Sequence, residues 1–168
     1  QWINRYTYTV LNKPIKENPP TPIFLLGHSM GGYAVSLLAA KYNDLNIQGI
    51  ITTGALTFDK AKVFSSIDDG LDPMFKLNNE LGSGVCSVDA VVKDYEKDPL
   101  NLKEYTAGLV YAIKEGLDWY EDKAENIKYN ALLMHGYDDG IVSYEDSLSN
   151  FDKISSKDLS VKIYKNLY

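Results

Sequence analysis

The chain opens its readable pattern with a short apolar run, Ile23-Phe24-Leu25-Leu26, that stops at Gly27. The run is too short for a helix and predicts a strand buried on both faces, as in a parallel sheet. Residues 29–42 follow, with Tyr33, Ala34, Val35, Leu37, Leu38 and Ala39 spread almost all round a helical projection. Such a segment predicts a deeply buried helix. Two further apolar runs, residues 49–54 and 130–136, predict strands of the same buried kind, and the alternation over residues 159–164 predicts a fourth. Between the last two, residues 143–155 carry Ser143 where an N-cap belongs and Asp146 at the third helical position. At the start, Trp2, Ile3, Tyr6, Val10 and Leu11 recur at helical spacing, and Asn18-Pro19-Pro20-Thr21-Pro22 then reads as an extended connector. Strands alternating with helices predict an α/β fold with a mostly parallel sheet.

Residues 58–129 break this alternation by placing about seventy residues between two sheet strands, far more than a usual crossover. Asp68-Asp69-Gly70, Gly82-Ser83-Gly84 and Asp98-Pro99 punctuate the stretch. An excursion of this size over a sheet edge is expected to be a lid or cap. The expected organisation is a core over residues 1–57, a cap insertion with return to the core over 58–129, and a second core segment over 130–168.

Composition narrows the function. The 168 residues are 45% hydrophobic and 24% charged, enough apolar surface for a folded core. With 17 Lys+Arg against 23 Asp+Glu the net charge is −6, which excludes the basic footprint of a nucleic-acid binder. A single cysteine excludes an internal disulfide framework and a cysteine-rich zinc site. No apolar run approaches the ~18 residues of a membrane-spanning helix.

The chemistry lies at Gly27-His28-Ser29-Met30-Gly31, a G-x-S-x-G sequence followed at once by Gly32. A predicted buried strand precedes it and a predicted buried helix follows it, the context of a nucleophile elbow. There the serine sits on a sharp, strained turn with its hydroxyl projecting from the sheet. Gly27 and Gly31, lacking Cβ atoms, are expected to let strand and helix approach closely. The helix N-terminus favours a developing oxyanion, with the Met30 N–H as one donor. A Walker phosphate loop would need a Gly-Lys-Ser/Thr ending and a dinucleotide fingerprint G-x-G-x-x-G; neither is present.

A nucleophilic serine needs a histidine base and an orienting carboxylate. Asp138 and Asp139, after the strand at 130–136, are the acid candidates, although Asp and Gly also cluster in plain solvated turns. Only two histidines occur. His28 lies inside the elbow, with its side chain expected to point away from that of Ser29. His135 ends a strand ahead of the acid candidates and reads as a packed, hydrogen-bonded residue.

Residues 24–32, Phe-Leu-Leu-Gly-His-Ser-Met-Gly-Gly, closely resemble the elbow of the monoglyceride lipases, within the serine-aminopeptidase-like α/β-hydrolases that also include lysophospholipases. Asp98-Pro99-Leu100 resembles an Asp-Pro of that family's cap. Residues 135–142 resemble its acid loop, of the form His/Gln-Gly-x-x-Asp-x-Ile/Val. Residues 159–168 resemble the strand leading to its histidine, Lys-x-Tyr-x-Gly-x-x-His, with Asn166 at the usual glycine. The resemblance implies an α/β-hydrolase fold with helices on both faces of the sheet and a cap. It assigns the triad acid to Asp139 and leaves Asp138 in a variable position. It also implies a histidine directly after Tyr168, and earlier strands and a second oxyanion donor before Gln1, so a chain cut at both ends is the expectation.

The expected function is hydrolysis of lipid carboxylic esters, monoacylglycerols or lysophospholipids, through an acyl-enzyme, without metal or other cofactor. Val63, Phe64, Leu71, Met74, Phe75 and Leu77 are candidates for an apolar acyl wall, with ordinary packing of cap on core as the alternative. Cys86, also in the cap, reads as an ordinary half-buried thiol. Two other readings stand beside this one: a catalytically inactive hydrolase fold used as a binding module, and a general carboxylesterase or thioesterase. The expected location is cytoplasmic or membrane-peripheral, with transient contact with a membrane surface. Residues 1–168 alone are expected to be inactive on esters and to leave sheet edge and core surface exposed.

Overall fold

The computed structural model describes residues 22–168. The expected helix over residues 1–12 and the connector at 18–22 lie outside the described residues, apart from Pro22. A parallel sheet forms the centre, built from β1 (Phe24–His28), β2 (Gly49–Thr53), β5 (Asn130–Gly136) and β6 (Leu159–Tyr164), in the order β1-β2-β5-β6. The register runs Leu25↔Ile50↔Ala131↔Leu159, so these apolar side chains share one face.

Helix α1 (Met30–Lys41) covers that face with apolar side chains, and α4 (Tyr144–Lys153) lies over β5 and β6 on the same face through Ser147, which meets the His135 ring. Leu38, Ala39 and Ala40 of α1 pack with Ile50, Ala131 and Leu133 of the sheet, and Ile154 closes the cluster beyond α4. The opposite face differs from the expectation of a first strand buried on both sides. Phe24 and Leu26 are 57% and 69% exposed. The pairing is as expected; the difference is one of cover, because β1 is the edge of the described sheet and both described helices on the sheet lie on the Leu25 face.

Residues 54–129, between β2 and β5, hold a small antiparallel sheet of β3 (Lys76–Asn78) and β4 (Glu104–Thr106), a helix α2 (Asp89–Lys97) and a longer helix α3 (Ala107–Glu121). The two three-residue strands were not foreseen, since so short a run shows no alternation. Helix α3 returns to the core: Ala107, Val110, Ile113, Leu117 and Tyr120 form one buried stripe along it. Thr106 caps its start, and the Ala107 and Gly108 N–H groups, which have no helical acceptor, donate to Phe75 O and Pro73 O. Helix α2 buries none of its residues. Among the described residues no helix is long and apolar enough to cross a membrane.

Candidate active site

Ser29 is the residue between β1 and α1. Its φ of 52° and ψ of −121° put it in a region that residues with a Cβ rarely adopt. Such backbone costs about 1–3 kcal/mol and persists only where the surroundings hold it. Here Ser29 N–H donates to Thr53 O at 2.9 Å, tying the turn to the end of β2, and Ser29 O accepts the first helical bond from Tyr33 N–H at 3.1 Å. The half-buried Ser29 hydroxyl makes no capping bond to α1. The N–H groups of Met30, Gly31 and Gly32 occupy the first helical turn, where no intrahelical acceptor exists.

The glycines divide their roles differently from the expectation. A Cβ on Gly27 would collide with the carbonyl of Gly31, so strand and helix touch through backbone there. A Cβ on Gly32 would lie 2.6 Å from the Ala55 Cβ. Gly31 faces open space, so the close approach belongs to Gly27 and Gly32 and not to Gly31.

His28 is turned to β2, its Nδ1 lying 3.0 Å from Thr53 O and 2.9 Å from Thr53 Oγ1. A carbonyl only accepts, so Nδ1 carries the proton. The ring is thus tied to Thr53.

The acid candidates sit on the turn after β5. Asp138 is exposed, and its N–H donates to Leu167 O at 3.0 Å. Asp139 turns inward, its side chain 13% exposed. Its Oδ1 accepts the N–H groups of Ile141 and Val142, each at 2.9 Å. Its Oδ2 lies 3.4 Å from His135 Nε2 and 3.3 Å from where a Cβ on Gly54 would stand. Gly54 has a φ of 52° and follows Thr53, the anchor of Ser29. The same Cβ position is 3.6 Å from His28 Cε1. Asp139 Oδ2 and the elbow therefore flank one glycine at the carboxyl ends of the strands, where α/β sheets bind ligands. Burial pushes the Asp139 carboxyl up, but the bond from His135 and the N–H groups of Val142 and Ile141 outweigh it and hold the carboxyl below its ordinary value.

His135 is 2% exposed and hydrogen-bonded, as its strand-end position implied. Its Nδ1 lies 2.8 Å from Ser147 Oγ of α4 and its Nε2 2.9 Å from Val142 O. Of the apolar cap candidates, Phe64 packs against the core cluster of Tyr33, Leu56, Ile113, Leu117 and Val142. Val63, Leu71 and Leu77 are half-buried, while Met74 and Phe75 are 77% and 50% exposed. Cys86 is half-buried and accepts the Val88 N–H at 3.4 Å.

Two buried carboxylates have roles the sequence did not reveal: Asp59 was not singled out, and Asp146 only as the third position of a helix. Asp146 accepts the N–H groups of Thr57, Phe58, Asp59 and Lys60, and Asp59 those of Val63, Phe64 and Ser65. Together they pin the segment leaving β2 for the cap. An Asp in a first helical turn ordinarily signals an end effect, and nothing local names so distant a partner.

A strained serine between a parallel strand and a buried helix, with a carboxylate across the strand ends, defines an α/β-hydrolase. The chain belongs to the serine aminopeptidase (S33) family, whose profile matches residues 7–168. Among solved structures it is similar to the monoacylglycerol lipase of Paleococcus ferrophilus, at 26% identity and a TM-score of 0.79 over 99% of this chain and 65% of that one. A soluble variant of the monoglyceride lipase of Saccharomyces cerevisiae, in complex with a substrate analog, shares the fold at 20% identity and a TM-score of 0.78, over 98% of this chain and 59% of that one. The fold is shared also by mouse alpha/beta hydrolase domain-containing protein 10, at 15% identity and a TM-score of 0.63, over 96% of this chain and 58% of that one. The chain thus spans less than two thirds of the structures it resembles. No curated protein sequence matches it significantly.

Proposed function

We propose that the protein acts as a serine hydrolase that cleaves lipid carboxylic esters, monoacylglycerols or lysophospholipids. The observation that carries this reading is the left-handed backbone of Ser29, bound to Thr53, with Asp139 Oδ2 across Gly54. The similarity to two monoglyceride lipases supports the choice of substrate class.

In this reading Ser29 Oγ attacks the ester carbonyl carbon and its proton passes to a histidine, which Asp139 orients. The oxyanion is held by the Met30 N–H and a second donor. Collapse breaks the bond to the alcohol, which leaves with the proton from the histidine. Water then attacks the acyl-serine, the histidine takes its proton, and the acid departs as Ser29 regains a proton. Leu167 and Tyr168 border the acid loop: both lie against Gly136, and Leu167 O takes the Asp138 N–H. Residues 58–129 serve as the cap, with exposed Met74 and Phe75 available to an acyl chain. The enzyme would work in the cytoplasm or at a membrane surface.

A fluorophosphonate probe should label the full-length protein and not its Ser29→Ala variant. A folded protein without labelling that depends on Ser29 would overturn the reading. A panel of monoacylglycerols, lysophospholipids and nitrophenyl esters then tests the substrate. No preference for long acyl chains would replace the lipase by a general carboxylesterase.

A further inference from the structure

We infer that His135, held by Ser147 from α4, is a positioning residue for Asp139. The inference rests on the hydrolase reading for its kinetic consequence, but its geometry stands independently. Val142 O has only lone pairs, so His135 Nε2, 2.9 Å away, carries a proton. That N–H also faces Asp139 Oδ2 at 3.4 Å, a shared donor leaning towards the carbonyl. In the neutral ring Nδ1 is then an acceptor, and Ser147 O–H fills it at 2.8 Å. All three groups are enclosed: His135 is 2% and Ser147 1% exposed, and the Asp139 side chain 13%.

The consequence is a fixed orientation of the acid. Val142 N–H holds Asp139 Oδ1 while Val142 O is held by His135, so one residue carries both ends of the clamp. His135 guards the inner side of Oδ2, and the remaining side of that oxygen faces Gly54 and the elbow. The ring suits this place because its Nε2–H faces the acid while its second nitrogen is taken by Ser147. Among the described residues, the titratable groups facing Asp139 are His135 from β5 and, across Gly54, His28 from β1.

The test compares full-length wild-type protein with Ser147→Ala, His135→Gln and His135→Leu, using a long-chain monoacylglycerol for turnover and carbon NMR of the Asp139 carboxyl for its titration. Ser147→Ala should lower kcat about 10-fold and His135→Leu about 100-fold, with KM within about two-fold, since a displaced catalytic group costs rate and not binding. His135→Gln, which can still donate to Val142 O, should recover kcat to within about 5-fold of wild type. The Asp139 titration midpoint should rise in His135→Leu. Unchanged kcat in a folded Ser147→Ala variant would overturn the inference, as would a change confined to KM. If the wild-type protein shows no turnover dependent on Ser29, the hydrolase reading falls. The Asp139 midpoint then decides alone, and an unmoved midpoint in His135→Leu and Ser147→Ala overturns the positioning role. Should His135→Leu not fold, Ser147→Ala carries both readouts.

Discussion

Replacing Asp146 by Asn should destabilise the fold far more than a one-atom change suggests. The Asp146 carboxylate is fully buried. Thr57, Phe58 and Asp59 N–H groups converge on Oδ2 at 2.8, 2.8 and 3.1 Å, and Lys60 N–H reaches Oδ1 at 2.9 Å. A side-chain amide has one acceptor oxygen and one donor nitrogen. With the oxygen facing the three donors, its NH2 group meets Lys60 N–H, donor against donor. Losing a buried partner costs about 1–3 kcal/mol, with the lower end fitting here because Lys60 N–H is only half-buried. The other three bonds lose the charge assistance that makes them about twice as strong as neutral ones. Together these give a loss of about 2–3 kcal/mol for Asp146→Asn. Asp146→Ala, which abandons all four donors, should cost about 4 kcal/mol or more. Urea denaturation of the full-length protein measures both as shifts in midpoint at constant slope. Asp152→Asn, on the exposed side of the same helix, is the control and should stay within about 0.5 kcal/mol. If Asp146→Asn also stays within about 0.5 kcal/mol, water satisfies these N–H groups and the reasoning fails.

Gly27→Ala should lose both the cooperative thermal transition and Ser29 labelling, because its Cβ meets the Gly31 carbonyl, whereas Gly31→Ala should melt within a few degrees of wild type. Gly84→Val should slow ester turnover with little change in melting temperature: a Cβ there would already stand 2.9 Å from Ile141 Cγ1, and Ile141 N–H holds Asp139. The lowered Asp139 carboxyl stabilises the fold above its unfolded value of about 3.9, and that contribution is lost as pH falls through the lower folded value. Urea midpoints of wild type and Asp139→Asn should therefore differ near neutral pH and converge in acid; a gap that widens in acid would refute the sign.

The sheet was legible because its signal is apolar density in three short runs and alternation in a fourth, and each of the four segments became a strand in register with its neighbours. The elbow was legible because the serine, the glycines and their flanking elements fall within one short segment. The cover of β1 was not, since an apolar run states that burial is wanted and not which element supplies it; Phe24 and Leu26 carry that ambiguity. The roles of the three glycines were equally hidden. Gly31 and Gly32 are alike in sequence, and only the packing of Ala55 separates them. Asp139 and Asp138 were distinguished by resemblance to a family pattern; in the structure the inward turn of Asp139 and the bonds to Ile141 and Val142 set them apart. The long-range roles of Asp146 and Ser147 were hidden because their partners lie on other elements, and polar residues in a first helical turn already have an ordinary local explanation. Asp59 binds N–H groups only four to six residues on, yet no periodic pattern marks such an irregular turn.

Helix α4 explains why so much of this site depends on long-range polar contacts. Its buried residues are Asp146, Ser147 and Asn150, all polar, so apolar packing does not fix its rotation about its own axis. Each has a distinct partner: Asp146 the N–H groups of residues 57–60, Ser147 the ring of His135, and Asn150 the hydroxyl of Tyr120 on α3. A buried polar contact is costly when broken, so three of them on one face define one seating of the helix where a greasy face would accept several. That seating connects the segment leaving β2, the strand bearing the acid loop, and the helix returning from residues 54–129. Strain at Ser29 and the direction of Asp139 are local properties, yet both depend on β2 and β5 being held against the same helix. Substitutions on the buried face of α4 should therefore alter the site and the stability together, while those on its exposed face should alter neither.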